Sequence, residues 1–209
     1  MSRINDTSVG EEIFNAITHG VGALAGIIGF VFLIIHAYKS EDPYRFWGFL
    51  IFGVTLILLY LTSTLFHSLI FTRAKKVFKT LDYSAIALFI AGSYTPIALI
   101  PLRNYFGWAL LVGVWLLALG SIVWRIFQAK REIISLVLYL LSGWLIIFFI
   151  KPLIQQVSPS TLILLVVGGL CYTIGTIFFR WKNLAYAHGI WHLFVLGGSM
   201  CHFMVMISL

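Results

Sequence analysis

Three histidines, an aspartate and a serine lie inside or at the edge of long apolar runs, where a polar side chain is costly unless it has a partner or a task. His188 and His192 are four residues apart in His188-Gly189-Ile190-Trp191-His192, so on a helix both imidazoles share one face. Two histidines at this spacing can chelate one metal ion. Ser63 and His67 repeat the same spacing, and Asp82 is the only acidic residue between Asp42 and Glu132. A lone buried histidine is more often a packed, hydrogen-bonded residue than a ligand, so the convergence of the group carries the inference. Three neutral imidazoles leave a fourth position open on zinc, where a bound water is acidified toward neutrality. Asp82 would orient that water and accept its proton, and Ser63, one turn deeper than His67, would hydrogen-bond the water or a substrate carbonyl. A structural zinc that only ties helices together uses the same ligands.

Elements that can position such a group are set by composition. Of the 209 residues 61% are hydrophobic and only 10% charged, too few charges to coat a water-facing surface. Disordered, collagen-like and disulfide-scaffold classes are excluded as well, and Cys171 and Cys201 read as buried thiols. Seven nearly uncharged runs occur, at about 14–38, 47–71, 81–100, 105–127, 133–150, 161–179 and 184–209. They show no period-two alternation, so the expectation is an all-α polytopic membrane protein: a single domain, 1–209, forming a seven-transmembrane helix bundle. No convincing internal repeat supports a transporter of two related halves. The net charge of +7 sits in short clusters between the runs, which speaks for topology and against a nucleic-acid partner.

Ten of the fourteen basic residues fall on the N-terminal side of the predicted membrane: Arg3, Arg73, Lys75, Lys76, Lys79, Arg125, Lys130, Arg131, Arg180 and Lys182. Lys39, Arg45, Arg103 and Lys151 fall on the other. The positive-inside rule then places the N-terminus in the cytoplasm and the C-terminus outside. His67 lies six residues before Arg73 and His188 six after Lys182, each about 9 Å of helix from those charges, with Asp82 slightly shallower. Spans 2, 3 and 7 thus bring His67, Asp82, His188 and His192 into one layer near the inner leaflet. The first ten residues lack a cleavable signal pattern, and Ser8 with Glu11 has the spacing of a capping box. Trp47, Trp108 and Trp181 read as interfacial, Gly168 and Gly169 as packing positions, and Pro96 as a kink in span 3. His202, roughly 15 Å beyond His192, is too far to share its metal and is expected to bond a neighbouring helix. His19 is expected to pack near the site, and His36 to be interfacial.

The chain resembles bacterial members of the hemolysin III family, within the progestin and adipoQ receptor superfamily of seven-span membrane proteins. Four motifs carry the resemblance: Asn15-Ala16-Ile17-Thr18-His19-Gly20, Ser63-x-x-x-His67, Leu81-Asp82-Tyr83-Ser84, and His188-Gly189-Ile190-Trp191-His192-Leu193-Phe194. It covers nearly the whole chain. The resemblance implies zinc on His67, His188 and His192, a water positioned by Asp82 and Ser63, a cytoplasmic N-terminus and residence in the plasma membrane of a bacterium. It further implies a zinc-dependent hydrolase of lipid amides or esters, ceramidase-like, with a membrane lipid as substrate or ligand. Two other functions stay open: a receptor-like or membrane-homeostasis protein with structural zinc, and a hemolysin acting by cytolysis or pore formation. No span is conspicuously amphipathic with a charged face, which disfavours a monomeric aqueous channel.

Overall fold

Short polar turns separate the apolar runs, and capping side chains in those turns start four of the helices. A computed structural model describes residues 8–128 and 131–209. Arg3 and Lys130, counted above among the cytoplasmic charges, lie outside the described residues. Helix α1 spans Val9–Lys39, and its capping box forms as expected: Glu11 N–H donates to Ser8 Oγ and Ser8 N–H to Glu11 Oε2. Helix α2, Pro43–Ser68, starts with an Asp42 cap and proline in its first turn. Helix α3 spans Lys75–Leu99 and continues past Pro96. Helix α4, Tyr105–Phe127, is capped by Asn104. The fifth run holds α5, Glu132–Gly143, a 3-10 stretch over Leu145–Phe149, and α6, Ile150–Ile154. Helix α7, Pro159–Arg180, is capped by Ser158, and α8 spans Ala187–Ser208. No strand occurs among the described residues.

The fifth run departs from a continuous span for a reason 49 residues upstream. Tyr94 of α3 donates its hydroxyl to the Gly143 carbonyl at 2.6 Å and accepts the Ile146 N–H at 3.2 Å. A side chain inserted into the backbone ladder in this way interrupts an α-helix.

By length and composition, six helical segments among the described residues can cross a membrane: α1, α2, α4, Glu132–Ile154, α7 and α8. The molecule is therefore a polytopic helical membrane protein. Helix α3 falls outside that set because Lys75, Lys76, Lys79 and Asp82 crowd its first turns and Ser84, Ser93 and Thr95 follow. It is also the most enclosed helix, with every residue from Ala91 to Leu99 buried. Large apolar side chains point outward on the other helices, as on Leu24, Ile28 and Leu116, which suits a lipid surround.

Helices α1 and α2, α2 and α3, and α7 and α8 pack closely; α1 closes back on α8, whereas α5 and α7 touch only sparsely. Between α3, α5, α7 and α8 lies a cavity of about 370 Å³. Two of the charges read above as cytoplasmic markers are in fact buried. Arg125 stacks its guanidinium over Tyr83 with the charge centre 3.7 Å from the ring, and Lys75 turns inward. Both sit at helix ends, where sequence position alone looks interfacial.

Candidate metal centre

Helix α2 delivers His67 in its last turn, and α8 delivers His188 and His192 in its first two. The rings crowd together: centroids are 5.0 Å apart for His67–His188, 5.1 Å for His67–His192 and 4.7 Å for His188–His192. One nitrogen from each lies within 4.8 Å of the others, so the three form a group that can hold a metal ion.

Two of the rings are oriented from behind. His67 Nδ1–H donates to Glu12 Oε2 at 2.7 Å, while Lys75 Nζ donates to Glu12 Oε1 at 2.7 Å. His192 Nδ1–H is shared between the Asn15 carbonyl, at 3.2 Å, and Thr18 Oγ1, at 3.1 Å. Metal-ligating histidines characteristically spend one N–H on a carboxylate or backbone carbonyl, which fixes the tautomer and leaves the other nitrogen's lone pair for the metal. His67 Nε2 meets that description, being buried and without a hydrogen-bond partner among the described residues. The donor set of three imidazole nitrogens suits zinc.

A close approach between α1 and α8 makes this support reachable. Gly189 stands between the two α8 histidines, and a Cβ there would collide with the Phe14 ring and come within 3.0 Å of Asn15 Oδ1. With glycine, the start of α1 settles directly against the turn that carries His188 and His192. Glu11 reinforces the contact, accepting the Tyr186 N–H on Oε1 at 2.7 Å just ahead of α8. Tyr186 has a left-handed backbone, φ 59°.

Ser63 and Asp82 line the same cavity as His188 and His192. Ser63 Oγ bonds His19 Nδ1 at 2.6 Å, and Asp82 sits within electrostatic reach of His67, Ser63, Arg125 and Lys79. His19 comes closer to the group than expected: its ring stacks on His192 at a centroid distance of 3.5 Å and an interplanar angle of 10°. His36 is exposed near the far end of α1. The sequence reading missed Glu12 and Lys75 and had not assigned Thr18 a contact. A signal existed, because Glu12, Asn15 and His19 follow one another at helical spacing on one face of an apolar helix.

The Haemolysin-III related family matches residues 7–203 of the chain. The chain belongs to the haemolysin III family. Within it, "Hemolysin-3" of Bacillus cereus is 49% identical over 196 residues, covering 93% of this chain and 90% of that protein. "Hemolysin-3 homolog" of Bacillus subtilis (strain 168) is 49% identical over 197 residues, covering 94% and 92%. The human "Monocyte to macrophage differentiation factor" is 30% identical over 206 residues, covering 92% and 82%. No solved structure gives a significant match. This haemolysin III chain is thus a multi-pass membrane protein of a bacterial family, in keeping with residence in the cell membrane.

Proposed function

We propose that the chain is a zinc-dependent hydrolase of a membrane lipid amide or ester, with zinc on His67, His188 and His192. The observation that carries the reading is the junction of the histidine group with a cavity whose remaining walls are mostly aliphatic and aromatic, from Leu59 and Ile86 through Leu136 to Val195. An acyl chain in that cavity would bring its carbonyl to the histidine end. A zinc ion bound there supplies Lewis acidity toward a carbonyl oxygen and toward water. Asp82 takes the proton of the attacking water and returns it to the leaving amine or alcohol as the carbonyl carbon's bond to nitrogen or oxygen breaks. Ser63, held by His19, donates a hydrogen bond to the carbonyl oxygen as charge builds on it.

The same reading takes the chain as one domain of seven crossings, with α3 as the enclosed seventh, the N-terminus cytoplasmic and the C-terminus outside. The single core supports it, built from buried residues of α1 to α6 and α8 with partly buried Leu162, Leu165 and Tyr172 of α7 packed against it. So does the basic bias of the remaining charges on one side.

A second reading, zinc as a structural tie in a receptor-like protein, is favoured by the way the site joins four helices: α2 and α8 through the ligands, α1 and α3 through Glu12 and Lys75. The name of the Bacillus relatives points to cytolysis, but a largely apolar cavity wall is a poor lining for an aqueous pore.

Metal analysis of the detergent-purified protein beside a His188→Ala/His192→Ala double variant tests the site. Zinc in the parent and none in the variant is the expected result; equal, near-zero zinc in both folded samples sinks it. A lipid-hydrolysis screen with Asp82→Asn then separates enzyme from tie, the expected outcome being retained zinc and lost turnover.

A further inference from the structure

Far from the histidine group, α7 and α8 carry a second polar cluster on the cavity wall. His202 of α8 and Tyr172 of α7 both border the cavity, with ring centroids 5.4 Å apart in an edge-to-face arrangement at 83°. One His202 ring nitrogen faces the Leu165 carbonyl of α7; the other, and the Tyr172 hydroxyl, have no hydrogen-bond partner among the described residues. Nearby polar groups are already engaged: Tyr60 and Ser199 bond each other through their hydroxyls, and Trp144 Nε1–H donates to Thr173 Oγ1 at 3.0 Å.

Glycines on the facing helices make room for both rings. A Cβ on Gly168 of α7 would come within 2.7 Å of His202 Nε2, and a Cβ on Gly198 of α8 within 2.7 Å of Tyr172 Cζ. Each polar aromatic is therefore seated on the other helix's glycine. Gly168 reads in the sequence as a generic packing position; its specific use is to admit an imidazole.

Two buried polar atoms without protein partners are expensive in so apolar a place, and native proteins keep few of them. With the imidazole N–H turned to Leu165, its other nitrogen accepts and the phenol both donates and accepts, so a hydroxyl, which also does both, matches the pair. His202 is ten residues beyond His192 on α8, about 15 Å along the helix.

We propose that His202 and Tyr172 form a recognition site for a second polar group on the bound lipid, a hydroxyl carried part-way along its chain. This rests on the reading of the cavity as a lipid site and narrows its ligand to hydroxylated acyl chains. The histidine group takes the carbonyl end, and the His202–Tyr172 pair measures the distance from that end to the hydroxyl. An unsubstituted chain leaves the pair unsatisfied, and the cavity discriminates against it.

The test is a binding measurement on the detergent-purified full chain, so turnover does not enter. Straight-chain fatty acids of one length, unsubstituted or bearing a single hydroxyl at successive positions, compete with a fluorescent fatty acid. Parent protein is expected to show one preferred position, bound about tenfold more tightly than the unsubstituted acid. Tyr172→Phe, which removes only the hydroxyl, and His202→Phe are each expected to flatten that preference while leaving the unsubstituted acid bound. A flat profile in the parent, with binding retained, overturns the inference and leaves the lipid cavity standing. A preference that survives both substitutions also overturns it. No binding of any member removes the cavity reading and the inference together.

Discussion

Glu12 offers the sharpest handle on the metal centre, because both of its carboxylate oxygens are committed to different partners. Oε2 accepts from His67 Nδ1 and Oε1 from Lys75 Nζ, each at 2.7 Å. Glu12→Gln keeps the shape but provides one carbonyl oxygen and one amide NH2. If the oxygen turns to Lys75, the NH2 faces His67 Nδ1 and favours the tautomer with its proton on Nε2, the nitrogen needed for the metal. If the oxygen turns to His67, a buried ammonium faces an amide donor. Either way His67 becomes a poorer ligand. Loss of such an outer partner weakens metal binding by roughly 10–100-fold, about 1.4–2.7 kcal/mol. Competition against a chromophoric zinc chelator, on detergent-purified protein, reads that change directly. Lys75→Gln keeps the carboxylate on His67 and is expected not to weaken binding, which separates a local effect from general loosening of the bundle. A folded Glu12→Gln protein with the parent's zinc affinity would refute the idea that the carboxylate sets the ligand.

Gly189→Ala should push α1 away from α8 at Phe14 and carry the Asn15 carbonyl off His192, so metal affinity should fall more than thermal stability; the reverse order, seen by chelator competition and thermal unfolding, contradicts that packing. Arg125→Met removes a buried cation stacked on Tyr83 near Asp82, and a cost of about 3–5 kcal/mol is expected, as for breaking other buried charge pairs. It should appear as a lowered unfolding midpoint, and an unchanged midpoint would show that the charge is dispensable.

Much of the helix plan was legible because lipid imposes a simple rule: a run of roughly 20 apolar residues must hydrogen-bond to itself. The capping box at Ser8 and the convergence of His67, His188 and His192 followed from spacing and depth alone. What escaped depends on contacts distant in sequence. The break after Gly143 is made by Tyr94, and nothing within the fifth run announces it. Lys75 and Arg125 look like surface charges because they stand at helix ends, yet each is drawn inward, Lys75 by Glu12 and Arg125 onto Tyr83. Glu12 itself was hidden by its place beside a helix cap, where an acid needs no further explanation. Six of the seven runs have the length and composition of a span, and α3 differs because its polar residues face the bundle interior instead of lipid.

The reach of α1 to both His67 and His192 has a consequence for how the molecule is made. Helices enter the membrane in the order of synthesis, so α1 and α2 are in place, with Glu12, Asn15 and His67, long before α8 emerges. Until then His67 is a single imidazole beside a carboxylate, with little hold on a metal. His188 and His192 arrive together in the first two turns of α8, and the Asn15 carbonyl orients His192 as that helix docks. Any metal held by His67, His188 and His192 together is therefore captured no earlier than the docking of α8, and a bundle halted before that step would be inserted with the group unassembled.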